Sequence, residues 1–268
     1  MSAAWVEADW PAPGGVRALC TFRTGGASAA PYGSLNLGGH VGDAPAAVAE
    51  NRRRLRVATG LPAEPVWLEQ VHGAHVADLD AAPDPGGAEH PADAGHPGGA
   101  RRVGPADAAF TRRPGRVCAI LTADCLPLLL AAESGDLVAA AHAGWRGLAG
   151  GVIEATMAAV TAAGAVPPER LLAWLGPAIG PRHFEVGAEV REALLAGDPG
   201  AEAAFAPNTR GRFMADLGML ARRRLEARGV ERIYGGGECT FDAADRYFSY
   251  RRDGVTGRQA ALIWLEAR

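Results

Sequence analysis

Apolar positions along the chain change period several times, and each change marks a different element. Val16 to Arg23 alternates loosely and predicts a strand, which Thr24-Gly25-Gly26 turns into a glycine-rich loop reaching Gly42. Asp43-Ala44-Pro45 places an N-cap and a proline before a helix over about Ala46 to Thr59. Val48, Leu55 and Ala58 would face inward, and Gly60 would stop it. Val66 to Gly73 reads as a strand ending on a histidine and a glycine. Three short apolar runs follow at 119–122, 126–131 and 137–141, cut by Ala123-Asp124-Cys125, by Glu133-Ser134-Gly135-Asp136 and by His142. Such runs read as buried strands.

Helical spacing returns from Leu148 to Ala163, with Leu148, Val152, Ala155, Ala159, Val160 and Ala163 on one face. Leu171 to Leu175 predicts a strand closed by Gly176-Pro177-Ala178-Ile179-Gly180-Pro181. Helices are expected over Val186 to Ala196 and Phe213 to Arg228, the second with Met214, Leu217, Leu220, Ala221 and Leu225 as its core stripe. Ile233-Tyr234, Tyr247 to Tyr250 and Ala260 to Leu265 read as strands. Asp80 to Pro105 is rich in Ala, Pro, Gly and Asp without a period, which suggests a lid or a disordered insertion. Strands and helices mix with no strict βαβ beat, repeat or linker. One mixed α/β (α+β) domain over residues 1–268 is the expectation.

Composition narrows the function classes. The chain is 48% hydrophobic and 21% charged, ordinary for a globular protein, and its net charge of -3 leaves no basic footprint for nucleic acid. No apolar run approaches the ~18–20 residues that span a bilayer. The first residues lack the basic and apolar regions of a signal peptide, so a cytoplasmic protein is expected. Four cysteines, at 20, 118, 125 and 239, form no CxxC pair. That favours free thiols or a metal ligand over a disulfide framework. Cys20 and Cys118 fall inside apolar runs and read as core. His90 and His96, in the insertion, read as incidental.

Chemistry concentrates at three predicted strand ends: His72, Cys125 and His142. A thiolate and two imidazoles suit zinc, and three protein ligands leave a fourth position for water or substrate. A hydrogen-bonded buried histidine and an inert core cysteine are the plainer alternatives. Gly144-Trp145-Arg146-Gly147 precedes the Leu148 helix, whose first amides would favour an anion, and Arg146 could add a fork of donors for phosphate or serve only as an ion-pair partner. Asp124 could orient a ligand or move a proton, or simply shape a turn.

Several blocks then carry a family resemblance. Gln70-Val71-His72-Gly73, Thr122 to Pro127, His142 to Gly147, Gly176 to Pro181 and Ser249-Tyr250-Arg251-Arg252-Asp253 resemble the signatures of the YfiH-like family, also called the laccase-domain or polyphenol oxidoreductase family. Arg23-Thr24-Gly25-Gly26, Ser34-Leu35-Asn36-Leu37 and Glu50-Asn51-Arg52 extend it over nearly the whole chain. The resemblance implies a layered α/β/β/α domain with mixed sheets and a zinc site at His72, Cys125 and His142. It also implies phosphorolysis of adenosine, inosine, guanosine or methylthioadenosine, with deamination of adenosine. Purine nucleoside and phosphate would be its partners, with Asn36, Arg52, Arg146 and Arg251 as substrate contacts and Asp124 beside the catalytic set. The rivals are copper-dependent phenol oxidation, metal-free hydrolysis by Cys125 and His142, and a non-enzymatic module stapled by zinc. Copper is less expected, because the chain has no HxH pair.

Overall fold

A computed structural model describes residues 4–81 and 102–267. Strands β1 (Trp5–Glu7) and β2 (Val16–Thr21) precede helix α1 (Pro45–Thr59). Next come β3 (Val66–Glu69), β4 (Val76–Asp78), β5 (Arg102–Pro105), β6 (Ala108–Thr111), β7 (Val117–Thr122), β8 (Leu126–Ala132) and β9 (Val138–Ala143). Helices α2 (Trp145–Ala149) and α3 (Val152–Gly164) lead to β10 (Leu171–Leu175), β11 (Glu185–Val186) and α4 (Ala188–Gly197). The order ends with β12 (Phe205–Pro207), β13 (Phe213–Ala215), α5 (Leu217–Ala227), β14 (Arg232–Gly235), α6 (Tyr250–Asp253) and β15 (Gln259–Leu265).

Two mixed sheets make the centre, ordered β1-β2-β15-β7-β3-β5 and β14-β10-β8-β9-β6-β4. The period of two explains why they stack. On β7, Cys118 and Ile120 join Leu129 and Ala131 of β8 and Val138 and Ala140 of β9 between the sheets. The alternate residues Val117, Ala119 and Leu121 turn outward to Leu55 of α1 and Leu35 and Leu37 of the glycine-rich loop. On the far side, Leu126, Leu128 and Leu130 of β8 pack against Leu148, Val152, Val160, Leu194 and Leu220 from four helices. Runs apolar on both faces are what a doubly covered sheet requires. The layers are therefore α/β/β/α, as expected. A small sheet, β11-β13-β12, lies beside them. Among the described residues, no helix is long and apolar enough to cross a membrane.

Local departures have local causes. The helix expected over Leu148–Ala163 is two helices, because Gly150-Gly151 intervenes and Gly151 takes φ 85°. The expected face holds at Leu148, Val152 and Val160, which are fully buried, and Ala159 and Ala163 pack partly buried against the core, while Ile153, Thr156 and Met157 widen the buried stripe of α3. Glu185–Val186 and Phe213–Ala215 are strands ahead of their helices, which moves Met214 off the helix, and Asp216 caps α5 by accepting from Met219 N at 2.9 Å. Tyr247 to Tyr250 makes no ladder. Its apolar signal comes from complete burial of Tyr247 and Phe248, with Gln259 Oε1 accepting from Phe248 N at 2.9 Å.

In α1, Ala58 is exposed and Asn51 takes the inward place, its amide donating to Ser28 Oγ and to the carbonyls of Ser34 and Asn36. Part of the expected insertion is ordered, since β5 pairs in parallel with β3. His90 and His96 lie outside the described residues. Cys20 and Cys118 are fully buried, as expected of core thiols.

Candidate metal centre

Both central sheets contribute to one cluster. β3 stops at Glu69, earlier than expected, and the side chain of Gln70 continues its pairing toward β7: Nε2 donates to Leu121 O at 2.9 Å and Oε1 accepts from Leu121 N at 2.8 Å. The chain then turns sharply. Asp107 Oδ2 accepts from the amides of Val71 and Gly73, at 3.1 and 2.6 Å, and Oδ1 accepts from that of His72 at 2.9 Å. His72 is thereby held at φ 61°, its ring exposed. Cys125 sits where the chain leaves β7 of one sheet for β8 of the other. His142, one residue before the end of β9 and paired with Pro127, is almost fully buried.

These three side chains meet. Their donor atoms lie within 4.8 Å of one another, with His72 Nε2 3.9 Å from Cys125 Sγ. The imidazole rings meet edge-on, centroids 4.7 Å apart. His142 Nδ1 lies 2.8 Å from Asp107 Oδ1, which leaves Nε2 for the cluster. A carboxylate behind a histidine is the usual partner of a metal ligand, fixing its tautomer and ring angle. Gly144 completes the cradle, since a Cβ there would stand 2.7 Å from Cys125 Sγ and 3.4 Å from His72 Cδ2.

Charge is shared across the cluster. Burial would push the Cys125 thiol up, but the charge and hydrogen bond of His142, then those of His72, bring it down to about 6. Burial would likewise push His142 down, yet Cys125 and Asp107 together raise it to about 9. The Asp107 carboxyl is raised by burial but held below the ordinary range by the bonds from His142 and the 71–73 turn. A thiolate at neutral pH is the form that binds metal.

Asp124 adjoins the cluster without entering it. Its oxygens accept from Thr240 Oγ1 and from Arg251 N, both at 2.7 Å, and it holds φ 94°. His72 and Asp124 are two of the three described non-glycine residues with positive φ. Each such conformation costs on the order of 1–3 kcal/mol, and such costs gather at functional sites.

The other expected contacts each have partners outside the three-ligand cluster. Arg146 is exposed and lies 4.3 Å over the Trp145 ring, within the five-residue helix α2 and not ahead of a long one. Arg251 donates to the carbonyls of His183 and Glu185, at 3.4 and 3.0 Å. Asn36 is fully buried, its amide bonded to Gly38, Asp43 and Arg258 N. Arg52 donates to Leu37 O and stacks 4.2 Å over Trp67.

Two residues escaped the sequence reading. Asp107 was visible only as one carboxylate inside Ala106 to Phe110, an apolar run that calls for a buried partner. Arg258, in the Thr256-Gly257-Arg258 segment before β15, donates to the carbonyls of Thr256 and Gly257, and burial holds it below the ordinary arginine range, opposed by the charges of Cys125 and Asp124.

The family described as multi-copper polyphenol oxidoreductase laccase matches residues 17–266. The chain belongs to the YfiH-like, laccase-domain family. Among its relatives, a purine nucleoside phosphorylase of Pseudomonas aeruginosa is 52% identical over 98% of this chain and 99% of its own. The purine nucleoside phosphorylase YfiH of Escherichia coli K12 is 52% identical over 96% and 97%. Two solved members share the fold: a protein of Neisseria meningitidis (TM-score 0.87, 45% identity, 99% and 100% covered) and YlmD of Geobacillus stearothermophilus (0.88, 32%, 100% and 98%).

Proposed function

We propose that this family member is a zinc-dependent purine nucleoside phosphorylase that also deaminates adenosine. One observation carries the proposal: His72, Cys125 and His142 converge from three segments on a point that Gly144 keeps clear and Asp107 backs. The relatives named purine nucleoside phosphorylase supply the substrate class.

The residues fit the ion. Two imidazoles and a thiolate are borderline-soft donors, and three protein ligands are the number that catalytic zinc keeps. When bound, zinc supplies Lewis acidity at neutral pH. The remaining work falls to side chains. Asp107 holds the proton on His142 Nδ1. Arg146 and Arg251 would contact the phosphate, whose oxygens suit a forked guanidinium, and Arg258 adds positive charge near Cys125 and Asp124. In phosphorolysis a phosphate oxygen attacks C1′ of the ribose as the N-glycosidic bond breaks. The purine leaves with the bonding electrons and takes up a proton, giving free base and ribose 1-phosphate. In deamination water replaces the 6-amino group and ammonia leaves. Asn36, Arg52 and Asp124 act as positioning residues: Asn36 anchors Arg258 N, Arg52 braces the loop at Leu37, and Asp124 ties Cys125 to the Arg251 segment.

A product assay beside metal analysis tests this. Adenosine, inosine, guanosine and methylthioadenosine are supplied with and without phosphate. Free base that requires phosphate, inosine formed from adenosine, and loss of both with the zinc in His72→Ala and Cys125→Ala are expected. Full turnover by the stripped protein overturns the proposal and moves the chemistry to the Cys125–His142 pair.

Copper is the second reading, because two histidines and a cysteine also make electron-transfer copper sites. Multicopper oxidation needs a further histidine-rich cluster. The one other donor cluster among the described residues has a single histidine. Oxygen uptake with a phenol, in proportion to bound copper, would establish that reading.

A further inference from the structure

A second donor cluster lies apart from the three ligands above, in the loops that follow β10 and β14. His183, Cys239 and Asp242 bring an imidazole nitrogen, a sulfur and a carboxylate oxygen within 4.8 Å of one another. We propose that these residues form a second cation site for zinc or a similar thiophilic divalent ion.

The backbone builds this site. Ala178 and Cys239 form a parallel bridge between the two loops, with Thr240 N donating to Ala178 O at 3.0 Å. Gly180 N points at Cys239 Sγ from 3.2 Å, and a Cβ on Gly180 would stand 3.2 Å from the same sulfur. His183 N in turn donates to Gly180 O at 3.0 Å, which sets the imidazole on the same turn as the sulfur's amide donor. The His183 ring is stacked flat on Phe241 at 4.1 Å, and its Nε2 is 2.7 Å from Asp242 Oδ1. An ordinary His–Asp ion pair accounts for that last contact but not for a cysteine held beside it by an amide.

Charge and size suit a divalent ion. A thiolate and a carboxylate offset two positive charges, with His183 neutral, and binding releases the thiol proton. Arg182 pairs with Oδ2 of Asp242 at 2.6 Å and leaves Oδ1 available. Around a tetrahedral zinc, donors stand about 3.3–3.6 Å apart, so His183 and Asp242 must part by about half an ångström to admit the ion. All three residues are at least partly exposed, so the ion has an entry path and room for a water in the fourth position.

The site also braces the first. Thr240, next to Cys239, donates to Asp124, next to Cys125. Arg251 N donates to the same carboxylate, while its guanidinium reaches the carbonyls of His183 and Glu185. An ion at His183 fixes the loop on which Arg251 rests.

The test is a cobalt titration of the stripped, reduced full-length protein, read by the sulfur-to-cobalt charge-transfer band and by bound metal after gel filtration. Wild type takes up about two equivalents per chain. His183→Phe, which keeps the stack on Phe241, and Asp242→Asn each take up one. His72→Ala also keeps one, with a thiolate band that disappears on adding His183→Phe. Equal uptake by wild type and His183→Phe overturns the proposal, as does a cobalt-free His72→Ala. Wild type with one ion that survives His72→Ala but not His183→Phe upholds this site while removing the first, so the two proposals fail separately.

Discussion

Asp107 and His142 are joined by a single 2.8 Å contact, yet the same carboxylate also collects the amides of Val71, His72 and Gly73. One buried side chain therefore sets the angle of one ligand and the backbone of another. Asp107→Asn, which keeps the shape and loses the charge, should lower zinc affinity about 10–100-fold. Competition against a chromophoric chelator measures it. Unchanged affinity would reduce Asp107 to a turn residue.

Gly144→Ala probes the cradle. Its methyl would meet Cys125 Sγ at 2.7 Å. The expected outcome is loss of metal and activity, with about 1–3 kcal/mol of stability lost to overpacking. Metal analysis and a denaturant melt on one sample separate the two effects.

Thiol reactivity should divide the cysteines. Cys20 and Cys118 are buried and their thiols are pushed up by desolvation, whereas Cys125 is partly open beside two imidazoles. In stripped, folded protein at neutral pH, alkylation should mark Cys125 well before Cys20 or Cys118, and added zinc should protect it. Peptide mass spectrometry gives the order.

The joint between α2 and α3 carries its own prediction. Gly151 caps α3 at φ 85°. Gly151→Ala should cost about 1–2 kcal/mol, because a Cβ is disfavoured in that conformation. Urea denaturation reports it.

Acid should unpick the turn at Asp80. Burial raises this carboxyl, but Thr111 Oγ1, the Arg112 amide and the Arg112 guanidinium outweigh it and hold the group below the ordinary aspartate range. A depressed folded-state value means stability present above the unfolded value and lost as pH falls through the folded one. Asp80→Asn should be the less stable protein at neutral pH. The gap should shrink as pH drops below the ordinary range, followed by urea midpoints.

Much of this was legible in the residues. The strands over 119–122, 126–131 and 137–141 were marked by apolar runs between turn residues, and the three ligands stood at run ends where chemistry can be presented. What escaped was set by distant partners. Asp107 gives no local sign of the four donors it gathers, and Tyr247 to Tyr250 looks like a strand because burial and pairing select the same residues. Gly150-Gly151 was readable as a break, but Leu148, Val152, Ala159 and Val160 keep one helical period across it, which hid the stop. Asn36 and Arg52, prominent in the family blocks, bond backbone groups of the glycine-rich loop, with Asn36 also reaching Asp43 and Arg52 stacking on Trp67, a use that spacing does not reveal.

β15 pairs with β2 on one side and β7 on the other, so the last strand in chain order occupies the middle of its sheet. During synthesis β2 and β7 emerge before their shared neighbour and must wait while β8, β9, β10 and β14 of the second sheet are made. Arg258 reaches the neighbourhood of Cys125 only when β15 inserts. A nascent chain halted before residue 258 has all three metal ligands but neither a closed first sheet nor Arg258, which delays the complete site until the final strand is in place.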